Sequence, residues 1–455
     1  MTRREAATAA PGATAWIVAG STVNGIAAFL FQIVGTRALG PVAYAPISVL
    51  WTLQYLWIAV AVTALEAYVT RMVTVGGPAA PELRRFLRLF TWALLAAAAI
   101  TAGVGFGLRE QLFAGLADLG VVLGLVVLGY GWYAMVRGRA AGLDRFRAYG
   151  LATAGESVLR LVAAVLVLLV VTGPRALAWV FPVGPLLIAA WAWGRRHITA
   201  YTPRRRSSSH EDQVPTGGSG HESGGSWHEA GGSGHEAGGS GHETDVGPAR
   251  EPRRRGRRFL AATSTANASV QLLLAGGPLA LVPLGASAST ISVYFTTITA
   301  ARVPMTFALN GGLSRLLPPL TRMSQADDRA GLARAAWQMM AGIAGLATLG
   351  GLVGATVGPE LIALLFGEGF RPGRSFVTVV SVSTVLAVGG LLLDQLYIAM
   401  GRERRLPAVW LGAVALAGVL VLVLPGSPTM RVAVDVAVGT AAAVAALSVP
   451  LLRRA

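Results

Sequence analysis

The chain has 455 residues, of which 54% are hydrophobic and 13% charged, with a mean hydropathy of +0.58. Soluble domains carry about 25% charged residues, so this composition excludes a soluble globular protein. The formal charge of +16 and the pI of 11.3 leave nucleic-acid binding to be settled by where the arginines sit, while the absence of cysteine excludes disulfides, iron–sulfur clusters and thiolate zinc sites.

Apolar runs long enough to cross a bilayer of about 30 Å recur along the chain. They predict about twelve helices, near residues 14–36, 44–69, 87–108, 119–137, 148–171, 176–194, 260–283, 288–314, 332–356, 375–399, 406–424 and 430–451. The expected fold class is therefore all-α, a polytopic membrane protein. The first run follows Arg3 and Arg4 as a signal peptide would. Its length, its polar residues Ser21, Thr22, Asn24 and Gln32, and the many later runs make it an uncleaved first helix.

The pattern stops between His197 and Arg258. Arg204, Arg205 and Arg206 open this stretch, and Arg253, Arg254, Arg255, Arg257 and Arg258 close it. Between them His221, His228, His235 and His242 recur every seven residues among Gly, Ser and Glu. Such a repeat buries too little apolar surface to offset its own ordering entropy, so 197–258 is expected to be a disordered linker. A metal-binding tether is the competing reading, but a Gly/Ser chain does nothing to fix ligand geometry. The expected division is a six-helix lobe over 1–196, the linker, and a second six-helix lobe over 259–455.

Arginine placement gives the topology. With the N-terminus inside, the inner segments hold 30 of the 38 arginines and the outer ones hold 6, namely Arg37, Arg109, Arg175, Arg371, Arg374 and Arg431. That bias predicts a plasma-membrane protein with both termini and the linker in the cytoplasm. It also assigns the basic pI to membrane orientation, so no nucleic-acid partner is expected. Six helices per half give both halves the same orientation, hence a parallel repeat. A faint trace of that repeat survives in Thr70–Met72 and Thr321–Met323, both reading TRM after a Leu–Gly pair.

Two arginines are left inside spans, where ionisable groups are costly and mark function by default. Arg302 lies midway along the eighth span, two residues before Pro304. Its planar fork suits phosphate oxygens, and a structural pair with a carbonyl or carboxylate is the competing reading. Glu156 and Arg160, four apart in the fifth span, share a helix face and are able to pair. An intrahelical pair that lowers insertion cost is the favoured reading, and Arg160 as a second phosphate contact, released by Glu156 during a transport cycle, is the competing one. Asn24 either lines a cavity or bonds between helices. Glu66, Asp394 and Asp435 lie within about two turns of an interface and read as anchors or hydrated ends. Pro278 and Pro283, after Gly276 and Gly277, predict a bent seventh helix that with Pro304 supplies candidate gating positions. Trp51, Trp57, Trp132, Trp191 and Trp193 read as interfacial belt residues. No catalytic, cofactor or metal constellation is apparent.

The loop after the second span, TRMVTVGGPAAPELRRF, lacks the acidic and basic signature usual in the major facilitator superfamily. GTRALGPVAYAPISVL at 35–50 instead resembles the pattern that follows the first helix of polysaccharide-exporting flippases. These belong to the multidrug/oligosaccharidyl-lipid/polysaccharide (MOP) exporter superfamily. Four further stretches match in order: VRGRAAGLDRFRAYG at 136–150, ARVPMTFALNGGLSRLLPPLTRM at 301–323, ELIALLFGEGFRPG at 360–373 and LYIAMGRERR at 396–405. Ala45 departs from the family glycine after Tyr44, and the His/Glu linker is not a family feature.

The resemblance implies a MATE-like MOP fold of two six-helix bundles. It also implies an activity: O-antigen-type flipping of a polyprenyl-diphosphate-linked oligosaccharide from the inner to the outer leaflet, by alternating access and without covalent chemistry. Expected partners are that lipid-linked substrate, membrane lipids, and glycosyltransferases or a polymerase of the same pathway. Two alternatives stay open. One is a multidrug cation antiporter of the same superfamily, although its usual carboxylate in the first or seventh helix is missing here. The other is a non-transporting scaffold for polysaccharide assembly.

Overall fold

The computed structural model describes residues 11–78, 80–195, 264–326 and 328–452. The linker expectation, and the metal reading of its histidines, lie outside these residues. The described residues are helical, with no strand among them. In chain order the helices are α1 (Pro11–Ala43), α2 (Ala45–Trp57), α3 (Thr63–Gly76), α4 (Pro81–Gly107), α5 (Arg109–Phe113), α6 (Asp118–Gly142), α7 (Phe146–Val170), α8 (Pro174–Ala178) and α9 (Val183–Arg195). The second half runs α10 (264–275), α11 (Gly277–Leu281), α12 (Ala288–Gln325), α13 (Arg329–Thr356), α14 (Gly358–Phe366), α15 (Arg374–Ala399), α16 (Leu406–Val423) and α17 (Pro428–Leu452).

These helices make the twelve expected crossings. A π-helical turn, Ile58–Val62, joins α2 to α3 into one span, and α8 with α9 forms another. Ten of the crossings are long and apolar enough to traverse a bilayer. The other two are the seventh, broken between α10 and α11, and the eighth, α12, which carries Ser292, Thr296, Thr297 and Arg302. The chain is a multi-pass membrane protein.

The pairing of spans repeats with an offset of six. In the first half the third span packs on the fourth, the second on the fourth, the fourth on the sixth and the fifth on the sixth. In the second half the ninth packs on the tenth, the eighth on the tenth, the tenth on the twelfth and the eleventh on the twelfth. Even the short helices correspond, α5 following the third span and α14 the ninth. This is the parallel repeat expected from the even span count. Small residues allow the closest approaches: a Cβ on Gly150 would lie 2.3 Å from the Trp16 carbonyl oxygen, so α7 meets α1 backbone to backbone.

The lobes share apolar packing at one end. Gly40, at φ 70°, breaks α1 just before Pro41 and turns the chain into α2. Tyr44, fully buried, then packs with Phe295 and Phe370 of the second lobe, and Phe29 meets Phe366 edge-on. One apolar core runs from the first lobe through Leu281, Tyr294, Phe376 and Val432. Around Val270, Leu393 and Trp410, by contrast, the packed residues belong to the second lobe alone. Two stretches that carried the family resemblance, 35–50 and 360–373, thus pack against each other across the lobes.

A cavity between the lobes

Beyond that shared end, from Phe29 onward, the lobes line a partly open cavity of about 380 Å³. Its first-lobe wall comes from α1 (Asn24, Gln32), α2 (Trp51, Gln54), α6 (Tyr130, Arg137) and α7 (Glu156, Arg160). The second-lobe wall comes from α10 (Gln271), α12 (Thr299, Arg302) and α15 (Val388, Leu391). Among the described residues three arginines and one glutamate line it, and a second glutamate, Glu66, pairs with Arg137.

The first-lobe side is a hydrogen-bond network. Arg160 Nη1 lies 3.4 Å from Glu156 Oε1, the helical pair that their spacing predicts. Both are buried, and Tyr130 ties them together: its hydroxyl donates to Glu156 Oε1 at 2.7 Å while accepting from Arg160 Nη1 at 2.9 Å and from Gln54 Nε2 at 3.0 Å. Ser157 adds a contact from Arg160 Nη2 at 3.4 Å and bonds Asn24. Taking two charges out of water is costly, and such a network is what makes it tolerable.

Trp51 corrects an expectation. It is 1% exposed, no belt residue, and its ring supports the Arg160 guanidinium at 4.6 Å. A cation held away from water gains from an aromatic face, and the indole supplies one inside the lobe. Trp57 and Trp132 are half-buried against core clusters, and of the four whose side chains are described only Trp191 stands exposed.

Toward the far end of the cavity Arg137 bonds Glu66 Oε1 at 3.2 Å and Tyr149, whose own hydroxyl donates to Glu66 Oε1 at 2.8 Å. Glu66 is thereby an ion-pair partner linking α3, α6 and α7. Arg137 and Tyr149 come from the 136–150 stretch. Gln54, Tyr130 and Tyr149 were not singled out in the sequence. A polar Gln in the middle of an apolar span was the available signal for Gln54.

On the facing lobe Arg302 lines the cavity, as its depth suggested, and its Nη2 donates to Gln271 Oε1 at 3.4 Å. Pro278 sits in the first turn of α11 and Pro283 in the turn that follows it, so the seventh span is broken at Gly276 rather than smoothly bent. Pro304 lies within α12, one turn or less from Arg302.

Asp394 and Asp435 overturn their reading as hydrated ends. Asp394 is 5% exposed and both its oxygens accept from Trp410 Nε1, at 3.2 and 3.0 Å. Asp435 is 4% exposed. Counting turns from a span's end measures depth along one helix, while burial depends on the helices packed around it.

No family model matches the sequence, and no curated protein matches it. Solved structures do. An inward-facing multidrug-resistance MATE family transporter of the MOP superfamily aligns with TM-score 0.56 at 12% identity, over 95% of this chain and 98% of that one. The chain has the MOP fold. A Vibrio cholerae MATE transporter aligns with TM-score 0.54 at 12% identity, covering 97% and 96%. A MOP superfamily transporter from Pyrococcus furiosus, described as having a binding pocket of reverse polarity that suggests a different function, gives TM-score 0.51 at 13% identity, covering 97% and 95%.

Proposed function

We propose that this MOP-fold transporter moves a polyprenyl-diphosphate-linked oligosaccharide across the plasma membrane, from the inner to the outer leaflet. The observation that carries the reading is the charge at the cavity wall. Among the described residues three arginines, Arg137, Arg160 and Arg302, stand with two carboxylates, Glu66 paired to Arg137 and Glu156 paired to Arg160, so the balance stays positive. A diphosphate headgroup is attracted there, and an organic cation is not. Arg160 also keeps a buried Nε with no hydrogen-bond partner among the described residues, a donor available to a phosphate oxygen. Arg302 faces it from the other lobe, so a bound diphosphate bridges the two halves that must rock.

In this reading the shared apolar end, where Tyr44 meets Phe295 and Phe370, is the closed outer gate. The cavity accepts the headgroup from the cytoplasmic side while the polyprenyl tail stays in lipid. Both termini are cytoplasmic, as the arginine bias argues, and pathway glycosyltransferases or a polymerase supply and consume the substrate. The chain's own residues bind, orient and release; no bond is made or broken.

The second reading is a multidrug cation antiporter, favoured by the multidrug-resistance transporters among the solved structures of this fold. Against it, Glu156 is already neutralised by Arg160, and α1, α10 and α11 contain no carboxylate. Proteoliposomes separate the two. The flippase reading expects a polyprenyl-diphosphate-linked sugar to be translocated, ethidium not to be transported, and depletion in cells to accumulate lipid-linked oligosaccharide in the inner leaflet. Ethidium efflux with no lipid translocation would reverse the assignment.

A further inference from the structure

One buried carboxylate is left without a task in the cavity. Asp435 lies two turns into α17, on the same helix face as Val432, which is part of the apolar core shared by the lobes. Its Oδ1 is buried and has no hydrogen-bond partner among the described residues. No cation lies within ion-pair distance of it among those residues.

The elements packed around α17 explain why. α11 and α16 carry no titratable side chain, and α13 carries only Arg329 and Arg334 at its far end. On α15, Asp394 is bonded to Trp410, Arg374 is engaged by Glu360, and Tyr397 donates to the Leu447 carbonyl oxygen at 2.9 Å near the other end of α17. Arg431, one turn back on α17 itself, directs its guanidinium to the Val421 and Leu422 carbonyl oxygens, so its charge acts on Asp435 only from beyond ion-pair distance. From α12, Tyr294 reaches the Val432 carbonyl oxygen at 3.5 Å, its ring pressed on the helix break at Gly277. An unpaired carboxylate in such a place takes up a proton instead of keeping its charge. A metal cation takes several oxygens, and Asp435 offers one unpartnered.

The position matters as much as the burial. α11 packs against α17 on one side and against α2 of the first lobe on the other. It is therefore the piece through which a change at Asp435 reaches the lobe contact. We propose that Asp435 is a proton-binding site that governs closure of the α1–α2 end: it is a neutral acid when the lobes meet there. When they part, water enters, the O–H bond breaks, the proton passes to that water and the carboxylate is hydrated. This rests on the reading of the molecule as an alternating-access transporter, and it does not depend on which substrate is carried.

The absence of native cysteine allows a direct test on the full-length protein in liposomes. Spin labels are placed on Leu108→Cys and Val357→Cys, exposed positions at the α1–α2 end of opposite lobes. The distance distribution is then measured at about pH 5 and about pH 9, on either side of the range where a buried carboxylate titrates. The expected result is a short distance at the lower pH, a longer population at the higher one, and loss of this response in Asp435→Asn, which stays short at both. Because the amide imitates the neutral acid, the same variant keeps the parent's thermal midpoint at the lower pH and exceeds it at the higher. A parent that does not respond to pH, an Asp435→Asn protein that responds as the parent does, or a response to sodium at fixed pH would each overturn the proposal. A pH response without lipid translocation would instead remove the flippase reading and leave the proton site standing.

Discussion

Arg37, at the end of α1, donates from Nε to the Leu365 carbonyl oxygen at 2.9 Å, across 328 residues of sequence, and its Nη2 reaches Leu364. Those carbonyls belong to the last turn of α14, where helix oxygens lack internal partners and the macrodipole favours a cation. One lobe thus caps a helix of the other. With Tyr44 it makes the GTRALGPVAY stretch the seam of the lobe contact.

Removing that cap loosens the seam. Because Arg37 is solvent-exposed, the bond is worth about 1 kcal/mol, or about a fivefold change in the closed-to-open ratio. Arg37→Ala is expected to increase the long-distance population between labels at positions 108 and 357 by about that factor, with overall thermal stability little changed. An unchanged distribution removes the latch role.

Under the proposed function, variants of the Glu156–Arg160 network should separate stability from transport. Arg160→Ala strands a buried carboxylate and is expected to destabilise the first lobe by about 3–5 kcal/mol. Replacing both partners, Arg160→Met with Glu156→Gln, restores most of the thermal midpoint and leaves lipid translocation lost. Recovery of both stability and transport in the double variant makes the pair purely structural.

At Arg302 the geometry of the group is at stake as well as its charge. Arg302→Lys keeps the charge but forfeits the two-pronged bond, so translocation is expected to fall about tenfold, and Arg302→Ala about a hundredfold. Normal polysaccharide export in an Arg302→Ala strain would overturn its proposed role as a substrate contact.

Acid weakens the α14 end of the seam through Glu360. Its own backbone N–H at the start of α14, then Arg371 at 3.1 Å and Arg374 at 3.2 Å, hold its carboxyl below the ordinary 4.5. A lowered value means stability that is complete above 4.5 and is lost as pH falls below it through the folded-state value. Thermal midpoints should therefore drop on acidification in that window, and Glu360→Gln should flatten that part of the profile.

Gly277 opens α11 just after the break in the seventh span, and a Cβ there would lie 2.1 Å from the Tyr294 ring. Gly277→Ala is expected to cost about 1–3 kcal/mol, because the ring is enclosed and cannot step aside. Circular dichroism melting reads this directly.

Much of this architecture is legible in the amino-acid order, because a bilayer imposes one length on every crossing and the arginines mark alternate loops. The Glu156–Arg160 pair follows from helical spacing, and Arg302 from its depth. What is illegible depends on partners from other helices. Nothing near Trp51 in sequence shows that Arg160 needs its ring, and nothing near Asp394 shows that Trp410 will cover it. Tyr130 and Tyr149 look like ordinary apolar-span aromatics until Glu156 and Glu66 arrive from α7 and α3.

The shared apolar core at the α1–α2 end also makes the lobe contact a thermometer. Parting Tyr44 from Phe295 and Phe370 hydrates aromatic and aliphatic surface, a change that carries a positive heat capacity. Attraction of that kind fades on cooling. If the lobes part here as the proposed transport cycle requires, the balance between closed and open states will bend with temperature instead of following a straight van't Hoff line, and a cold membrane will hold this end less firmly shut than a warm one.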